Sequence, residues 1–221
     1  MKLHRIQVMI IAWQLVLAGM AFGQTYKLEN AGAPPAAQLS KPLQDALESQ
    51  GVRVVNDQGT TLLEAWFSKA VSTTSGASAS SDILYGALAE GEFVGLLHSP
   101  AQGADFRGQA IKPGFYTLRY GLIPQDGNHM GVNPTRDVLV LCPVATDNDL
   151  STALSFDNLV KLSRQASGTA HPAVLVGVPV NGDTFPAVFK DDQGHWNLQV
   201  KVHGSNGDLP FAFTVVGTWQ G

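Results

Sequence analysis

The chain has 221 residues, of which 44% are hydrophobic and 14% are charged, and its formal net charge at pH 7 is −4. This acidic balance argues against nucleic acid and anionic membrane surfaces as partners. A single cysteine, Cys142, excludes an internal disulfide, so the fold must be held by a packed core. A single domain of this length buries ~70% of the surface that its unfolded chain exposes, which is enough for such a core.

Residues 1–23 have the three parts of a secretory signal peptide. A basic start at Lys2 and Arg5 precedes residues 6–20, which are apolar except for Gln7 and Gln14. Ala21 and Gly23 place small residues at the −3 and −1 positions of the cleavage site. The apolar run is shorter than the ~20 residues that a membrane-spanning helix needs, which favours a signal peptide over an anchor. We therefore expect cleavage after Gly23, a periplasmic or extracellular protein, no membrane span in the mature chain and a mature net charge of about −6.

The beginning of the mature chain is predicted to contain a lead-in followed by a helix. Residues 24–39 are rich in Ala and Pro, which indicates an extended lead-in to a single β-rich domain over residues 40–221. A helix is predicted over residues 40–50, because Ser40 is a good N-cap and Gly51 follows the last turn.

Short β-branched and apolar segments separated by turn residues predict the strands of the first half of the domain. These segments are residues 52–55, 62–67, 83–88 and 92–97. The tract of small polar residues at 72–82 has little apolar surface to bury, and it is interpreted as a mobile surface loop.

A strictly alternating segment at residues 115–122 organises the fold prediction. Its tyrosine and leucine side chains fall on one side, and Thr117 and Arg119 fall on the other, which is the pattern of a half-buried strand. Residues 138–142 are apolar on both faces and predict a central strand. The loop at 125–135 is too short for a crossover, so the two strands are expected to pair antiparallel.

The last third of the chain predicts one long helix and further strands. Ser155 is an N-cap and Gly168 a C-cap for the helix between them. Strands are predicted at 173–180, at 185–189, where Phe185, Ala187 and Phe189 alternate, and at 211–219. Another is predicted at 195–203, where alternating polar and apolar residues indicate a half-exposed strand. With about ten strands at hairpin spacing, we predict a mainly β fold, either an antiparallel β-sandwich or an open barrel, with one or two peripheral helices.

Five short segments carry a resemblance to other proteins. They are Ala104-Asp105-Phe106-Arg107-Gly108-Gln109, Ile111-Lys112-Pro113-Gly114, Tyr116-Thr117-Leu118-Arg119-Tyr120, Gly127-Asn128-His129 and Ser167-Gly168-Thr169-Ala170-His171-Pro172. In these segments the chain resembles an uncharacterised family of exported bacterial β-rich proteins with no known activity. The similarity covers most of the mature chain, and it implies export and a single domain without implying any chemistry.

Standard catalytic and cofactor motifs are absent from the sequence, including Gly-x-Ser-x-Gly, His-Glu-x-x-His, the phosphate-binding loop and Cys-x-x-Cys. We therefore predict no cofactor. Two loop clusters remain as candidate binding residues, His98, Asp105 and Arg107 in one loop and Asp126, His129 and Arg136 in the next. Consecutive loops of an antiparallel meander lie at opposite ends of a sheet, and eight residues span ~25 Å, so the clusters are not expected to share one site unless a loop folds back.

The alternative to a binding role for these clusters is a structural one. Asp105 is then expected to pair with Arg107, Arg136 is expected to pair with Asp137, and Asp126 serves as a turn former. The second cluster offers too few ligands for a closed metal site, so we predict no metal.

The aromatic residues and the cysteine also have two interpretations. The aromatic side chains could form a sugar-binding face, but each lies on the apolar phase of its strand, and core packing is the preferred interpretation. They are Trp66, Tyr116, Tyr120, Trp196 and Trp219. Cys142 lies on the most apolar strand and is interpreted as a core residue, with a catalytic thiol as the alternative.

These observations lead to two hypotheses of function. The first is an exported, non-catalytic β-domain that binds a small molecule, a glycan or a protein through its loops. The second is an exported hydrolase that uses a His/Asp arrangement in a loop. The two are distinguished by whether a histidine such as His98, His129 or His171 shares a concave site with a carboxylate.

Overall fold

The structure is a computed structural model that describes residues 24–74, 80, 82–126, 133–147, 149–152 and 154–218. The predicted signal peptide at 1–23, His129 and Trp219 lie outside these residues. The strands are β1 (Tyr26–Gly32), β2 (Gly51–Asn56), β3 (Thr61–Phe67), β4 (Phe93–Ser99), β5 (Gly103–Ala104), β6 (Ala110–Ile111), β7 (Gly114–Leu122), β8 (Asp137–Pro143), β9 (Val174–Val178), β10 (Ala187–Lys190), β11 (Trp196–Gly204) and β12 (Gly207–Val216). The α-helices are α1 (Lys41–Ala46) and α2 (Phe156–Ser167).

Ten of these strands form one antiparallel sheet in the order β1-β2-β3-β4-β7-β8-β9-β12-β11-β10. The sheet curls until its two edge strands lie near each other, and the ring of Tyr26 meets the ring of Trp196 edge-on at 5.5 Å between centroids. Strands β5 and β6 form a separate short hairpin. The predicted mainly β, antiparallel fold of the open-barrel type, with two helices, is therefore confirmed.

The inner face of the sheet forms the main core. The leucine and phenylalanine side chains of this core that are at most 5% exposed include Leu63, Leu97, Leu118, Leu141, Leu175, Leu198, Phe211 and Phe213. Two smaller clusters lie on the outer face, where α1 packs on Trp66 and α2 packs on Cys142. The core interpretation of the aromatic residues is confirmed for Trp66, Tyr116 and Tyr120, and Cys142 is fully buried.

The alternating segment at 115–122 forms strand β7, which pairs antiparallel with β8 as predicted. The prediction that it is half-buried is wrong, because Thr117 and Arg119 on its outer face are 0% exposed. The segment after β8 covers these side chains, and α2 covers Gly121, where the missing side chain lets Phe156 and Leu159 approach.

Arg119 is fully buried with every donor of its guanidinium engaged. Nε and Nη2 donate to the two carboxylate oxygens of Asp147 at 2.8 Å each. Nη1 donates to the carbonyls of Gly91 and Thr152, and Nη2 also donates to the carbonyl of Asp149. The five N–H groups thus reach five acceptors and join three separate segments of the chain.

A second buried carboxylate explains why residues 83–88 are not the strand that was predicted. Asp137 accepts the backbone N–H groups of Leu84 and Tyr85 at 2.8 and 2.9 Å and the hydroxyl of Tyr120 at 2.7 Å. The segment is therefore held by a side chain instead of a strand ladder.

Burial raises the pKa of Tyr85 to about 12, and its hydroxyl accepts the N–H of Ala212 at 3.0 Å.

Three further predictions need correction. The predicted lead-in at 24–39 contains β1, which pairs antiparallel with β2 as the edge of the sheet. Helix α1 ends at Ala46, four residues before the predicted end. Strand β11 is not half-exposed over its whole length, because Asn197 and Gln199 on its polar side are buried.

We expect Arg119→Met to lower the free energy of unfolding by ~3–5 kcal/mol, because it leaves the carboxylate of Asp147 buried without its partner. Urea unfolding followed by circular dichroism measures this change. The matched control is Lys27→Met, which breaks the exposed pair of Lys27 with Glu29 and should cost at most ~1 kcal/mol. Equal effects of the two substitutions would contradict the structural role of Arg119.

Candidate functional site

The β5–β6 hairpin lies over one end of the barrel and is built around Asp105. The carboxylate oxygen Oδ1 of Asp105 accepts the N–H groups of Arg107 at 3.0 Å and Gln109 at 2.8 Å. The backbone of Asp105 closes the same turn through its N–H to Gln109 and its carbonyl to Gly108. An aspartate with this pattern stabilises a compact turn through local hydrogen bonds.

The first cavity lies at the mouth of the barrel beneath this hairpin, and we call it the mouth cavity. Its volume is about 390 Å³. The wall consists mainly of aliphatic side chains from the inner face of the sheet and from the hairpin, among them Leu63, Leu97, Ile111, Leu141, Leu175 and Val215. Strand β4 ends and strand β7 begins at this mouth, so the β5–β6 hairpin, which lies between them in the chain, covers the open end.

The second cavity lies on the outer face beside α2, and we call it the Arg107 cavity. Its volume is about 270 Å³. The guanidinium of Arg107 lines it together with Asp126, Asp157 and His171, and the rest of the wall is apolar. The tip of the β5–β6 hairpin delivers Arg107 to this place, where its Nη2 lies 3.4 Å from the carbonyl of Pro172.

The third cavity lies on the outer face of β9, β12, β11 and β10, and we call it the His195 cavity. Its volume is about 460 Å³. Asp191 accepts the backbone N–H of His195 at 2.8 Å, and its Oδ2 lies 3.2 Å from both Nδ1 of His195 and Nδ2 of Asn197. The ring of Phe106, from the hairpin tip, meets the imidazole edge-on at 5.0 Å.

The Asp191–His195 pair has the arrangement of a general-base dyad. A carboxylate that accepts the Nδ1 proton leaves Nε2 of the imidazole as the base. Burial tends to raise the pKa of Asp191, but hydrogen bonds from the His195 backbone and the Asn197 amide hold it below its usual value. Gly217 lies against the ring, where any Cβ would collide with Cδ2 of His195.

His98, a predicted site residue, lies in none of the three cavities. Its Nδ1 is 2.9 Å from Glu64 Oε2, and its ring stacks on Phe115 at 4.2 Å between centroids. Glu64 also accepts from Arg53, so the three residues form a row across neighbouring strands. Burial raises the pKa of Glu64, and the hydrogen bonds from His98 and Arg53 more than offset this and lower it.

Asp105 and Arg107 do not form the predicted ion pair. Oδ2 of Asp105 and Nε of Arg107 are both buried, and neither has a hydrogen-bond partner. Burial raises the pKa of Asp105, although the N–H of Gln109 and the charge of Arg107 partly counteract it. The Asp105 carboxylate therefore serves the turn, and Arg107 acts on it through its charge without a hydrogen bond while lining the cavity.

The second predicted cluster is divided by the structure. Asp126 lines the Arg107 cavity, so one residue from each predicted cluster reaches the same site, contrary to the expectation that the clusters are separate. The β5–β6 hairpin folds back along the outer face. The prediction had named such folding back of a loop as the one way in which the two clusters could share a site. Arg136 does not pair with Asp137, since its Nε donates to the carbonyl of Ile123 at 2.7 Å and its Nη1 lies 3.8 Å from Asp82.

The sequence did not single out Asp191 or His195 as site residues. The signal available was the Asp191-Asp192-Gln193-Gly194 turn followed by the polar side of β11. The polar side of β11 was predicted to be exposed to solvent, because the residues that cover it are far away in the sequence. The two hypotheses were to be distinguished by whether a histidine shares a concave site with a carboxylate. His171 does so, because it lines the Arg107 cavity together with Asp126 and Asp157, and the hydrolase hypothesis is therefore retained as an alternative.

Comparisons of the chain with models of protein families, with curated proteins and with solved structures give no match. Within the residues that the structure covers, no group of three or more His, Cys, Asp or Glu side chains is placed to hold a metal ion. The same residues form no helix with the length and apolar character needed to traverse a bilayer.

We expect Asp105→Asn to gain stability relative to the wild type as the pH rises. Burial raises the pKa of Asp105 above its unfolded value of ~3.9, so ionisation destabilises the folded state, and stability falls as the pH rises through the raised pKa. Asparagine keeps the acceptor oxygen for the turn and does not ionise. Urea unfolding at intervals between pH 3 and pH 8 measures the difference between the two proteins.

The control for this pH profile is Asp149→Asn, which should behave in the opposite way. Hydrogen bonds from Thr152 and Ser151 lower the pKa of Asp149 to about 2, so its stabilising effect is present above pH ~3.9 and is lost as the pH falls towards 2. A stability difference for Asp105→Asn that does not vary with pH would contradict the buried-carboxylate account.

Proposed function

We propose that this chain is an exported, non-catalytic binding protein that holds an apolar small molecule in the mouth cavity. The observation that carries the proposal is a volume of about 390 Å³ with a mainly aliphatic wall at the open end of a barrel. Small-molecule sites have volumes of ~300–1,000 Å³ and occur in the mouths of β-barrels. Protein interiors are closely packed, so an open space lined by this much aliphatic surface is unusual and is typical of a binding site.

The few polar side chains at the mouth support an apolar ligand over a sugar. The hydroxyl of Tyr26 donates to Gln24 at 2.8 Å, and the hydroxyl of Ser99 donates to the carbonyl of Ala101 at 2.8 Å. Two of the three polar side chains that line the mouth cavity therefore donate to the protein itself, and the third is the exposed Thr218. A ligand rich in hydroxyl groups would lose its water here without gaining partners, which is unfavourable.

The β5–β6 hairpin supplies a route of entry. Each of its strands has two residues, and it contacts the α2 region through long or single bonds, such as Lys112 N–H to Ala166 at 3.3 Å and Thr169 to Gln109 at 2.9 Å. Opening the hairpin exposes Phe106 and Ile111, but its two-residue strands have far fewer ladder bonds than the ten-stranded sheet, so it opens at lower cost than the sheet. Its displacement would expose the mouth without unfolding the barrel.

Export is supported by the sequence at the amino terminus. The basic start, the short apolar run and the small residues before Gln24 are those of a signal peptide. The acidic mature chain and its single buried cysteine suit a soluble protein outside the cytoplasm, where a free exposed thiol would be oxidised.

Val215→Trp should weaken binding of the neutral fluorescent probe N-phenyl-1-naphthylamine at least about tenfold, because the indole occupies the mouth cavity that Val215 lines. A fluorescence titration measures the dissociation constant. The control is Val180→Trp, which adds the same side chain at a position that is 39% exposed and outside the mouth cavity. Absence of probe binding to the wild-type protein, or equal effects of the two substitutions, would refute the proposal.

An exported hydrolase is the second candidate, and the Asp191–His195 dyad is the observation that favours it. If the dyad activates water, purified protein should hydrolyse p-nitrophenyl acetate, and His195→Ala should reduce the rate about a hundredfold. The control is His203→Ala, because His203 also pairs with an aspartate, Asp208, but lies on the exposed part of β11. Equal rates for the wild type and both variants would exclude this candidate.

A further inference from the structure

Two arginines of the protein differ sharply in how their donors are used. All five N–H groups of Arg119 have acceptors, and this side chain is fully buried. Arg107 makes one long side-chain bond, from Nη2 to the carbonyl of Pro172 at 3.4 Å. Its Nε is buried without a partner, and among the described residues Nη1 has no acceptor. Nε is closed to solvent, so Nη1 and Nη2 are the donors that an acceptor in the cavity can reach.

The surroundings of Arg107 suit an apolar body attached to that acceptor. The Arg107 cavity is walled by the side chains of Ile123, Pro124, Phe156, Val160, Pro172 and Val174. Its volume of about 270 Å³ limits the occupant to a small molecule. Water alone would meet the guanidinium but would not cover the apolar wall.

The other charged groups of the cavity limit the charge of the occupant. Asp126 and Asp157 contribute negative charge to the wall, the nearby carboxylate of Asp105 interacts electrostatically with Arg107, and His171 also lines the cavity. A second anionic group on the ligand would be repelled by these carboxylates. A single carboxylate directed to the guanidinium, with the uncharged remainder along the apolar wall, meets both requirements.

We propose that the Arg107 cavity binds a small monocarboxylic acid with an aromatic or aliphatic body. The guanidinium takes the carboxylate, and the α2 side chains Phe156 and Val160 contact the body. This site is separate from the mouth cavity, and it does not depend on the function proposed for that cavity. The two share only the β5–β6 hairpin, whose base lines the mouth and whose tip carries Arg107.

The test uses two probes of nearly equal shape, 4-(trifluoromethyl)benzoate and its neutral amide, and follows their binding by ¹⁹F NMR at pH 7. We expect the benzoate to bind about tenfold more tightly than the amide, because it adds a charge-assisted hydrogen bond. Arg107→Gln should remove this difference while leaving amide binding unchanged. Arg107→Lys should keep only part of it, since lysine has the charge without the planar pair of donors.

Two controls locate the effect. Lys161→Gln removes a positive charge from an exposed position on the same helix α2 and should leave both probes unaffected. Val215→Trp fills the mouth cavity and should also leave benzoate binding unchanged, so failure of one site is distinguished from failure of the other. Equal binding of the two probes to the wild type, or a preference for benzoate that survives in Arg107→Gln or is fully retained in Arg107→Lys, would overturn the proposal.

Discussion

The bidentate contact between Arg119 and Asp147 determines how the outer face of the barrel is covered. A guanidinium at the centre of β7 must either reach solvent or be fully paired, because an unpaired buried charge costs several kcal/mol. Asp147 and the carbonyls of Gly91, Asp149 and Thr152 supply that pairing. The segment before α2 is therefore fixed against β7, and the helix begins where Phe156 can pack over Gly121.

The β5–β6 hairpin lies at the opposite end of β7, where it contributes to all three cavities. The hairpin precedes β7 in the chain. The Asp105 turn shapes its tip, and the buried side chains of Phe106 and Ile111 attach it to the rest of the protein. Its base lines the mouth cavity, Phe106 lines the His195 cavity, and Arg107 lines the Arg107 cavity. One short hairpin on a rigid sheet thus borders three cavities, which is the usual division between a scaffold and the loops that carry function.

The strands were predictable where side-chain alternation and turn residues agreed. The β7–β8 pair, the helix from Ser155 to Gly168 and the hairpin of β2 and β3 follow from local pattern. Prediction failed where a distant side chain supplied the hydrogen bonds, as Asp137 does for Leu84 and Tyr85. It also failed where distant segments cover a polar face, as they cover Arg119 and Asn197.

The sequence by itself determined the fold class, because periodicity of two and turn chemistry are local properties of the chain. It also determined that Arg107 and Asp126 lie in loops. Only the tertiary structure decided that these two residues line one cavity, that Asp191 holds His195, and that Arg119 is buried. The physical reason is that burial and pairing depend on which segments meet across the sheet, and these segments are brought together by the packing of the barrel and not by their spacing in the chain.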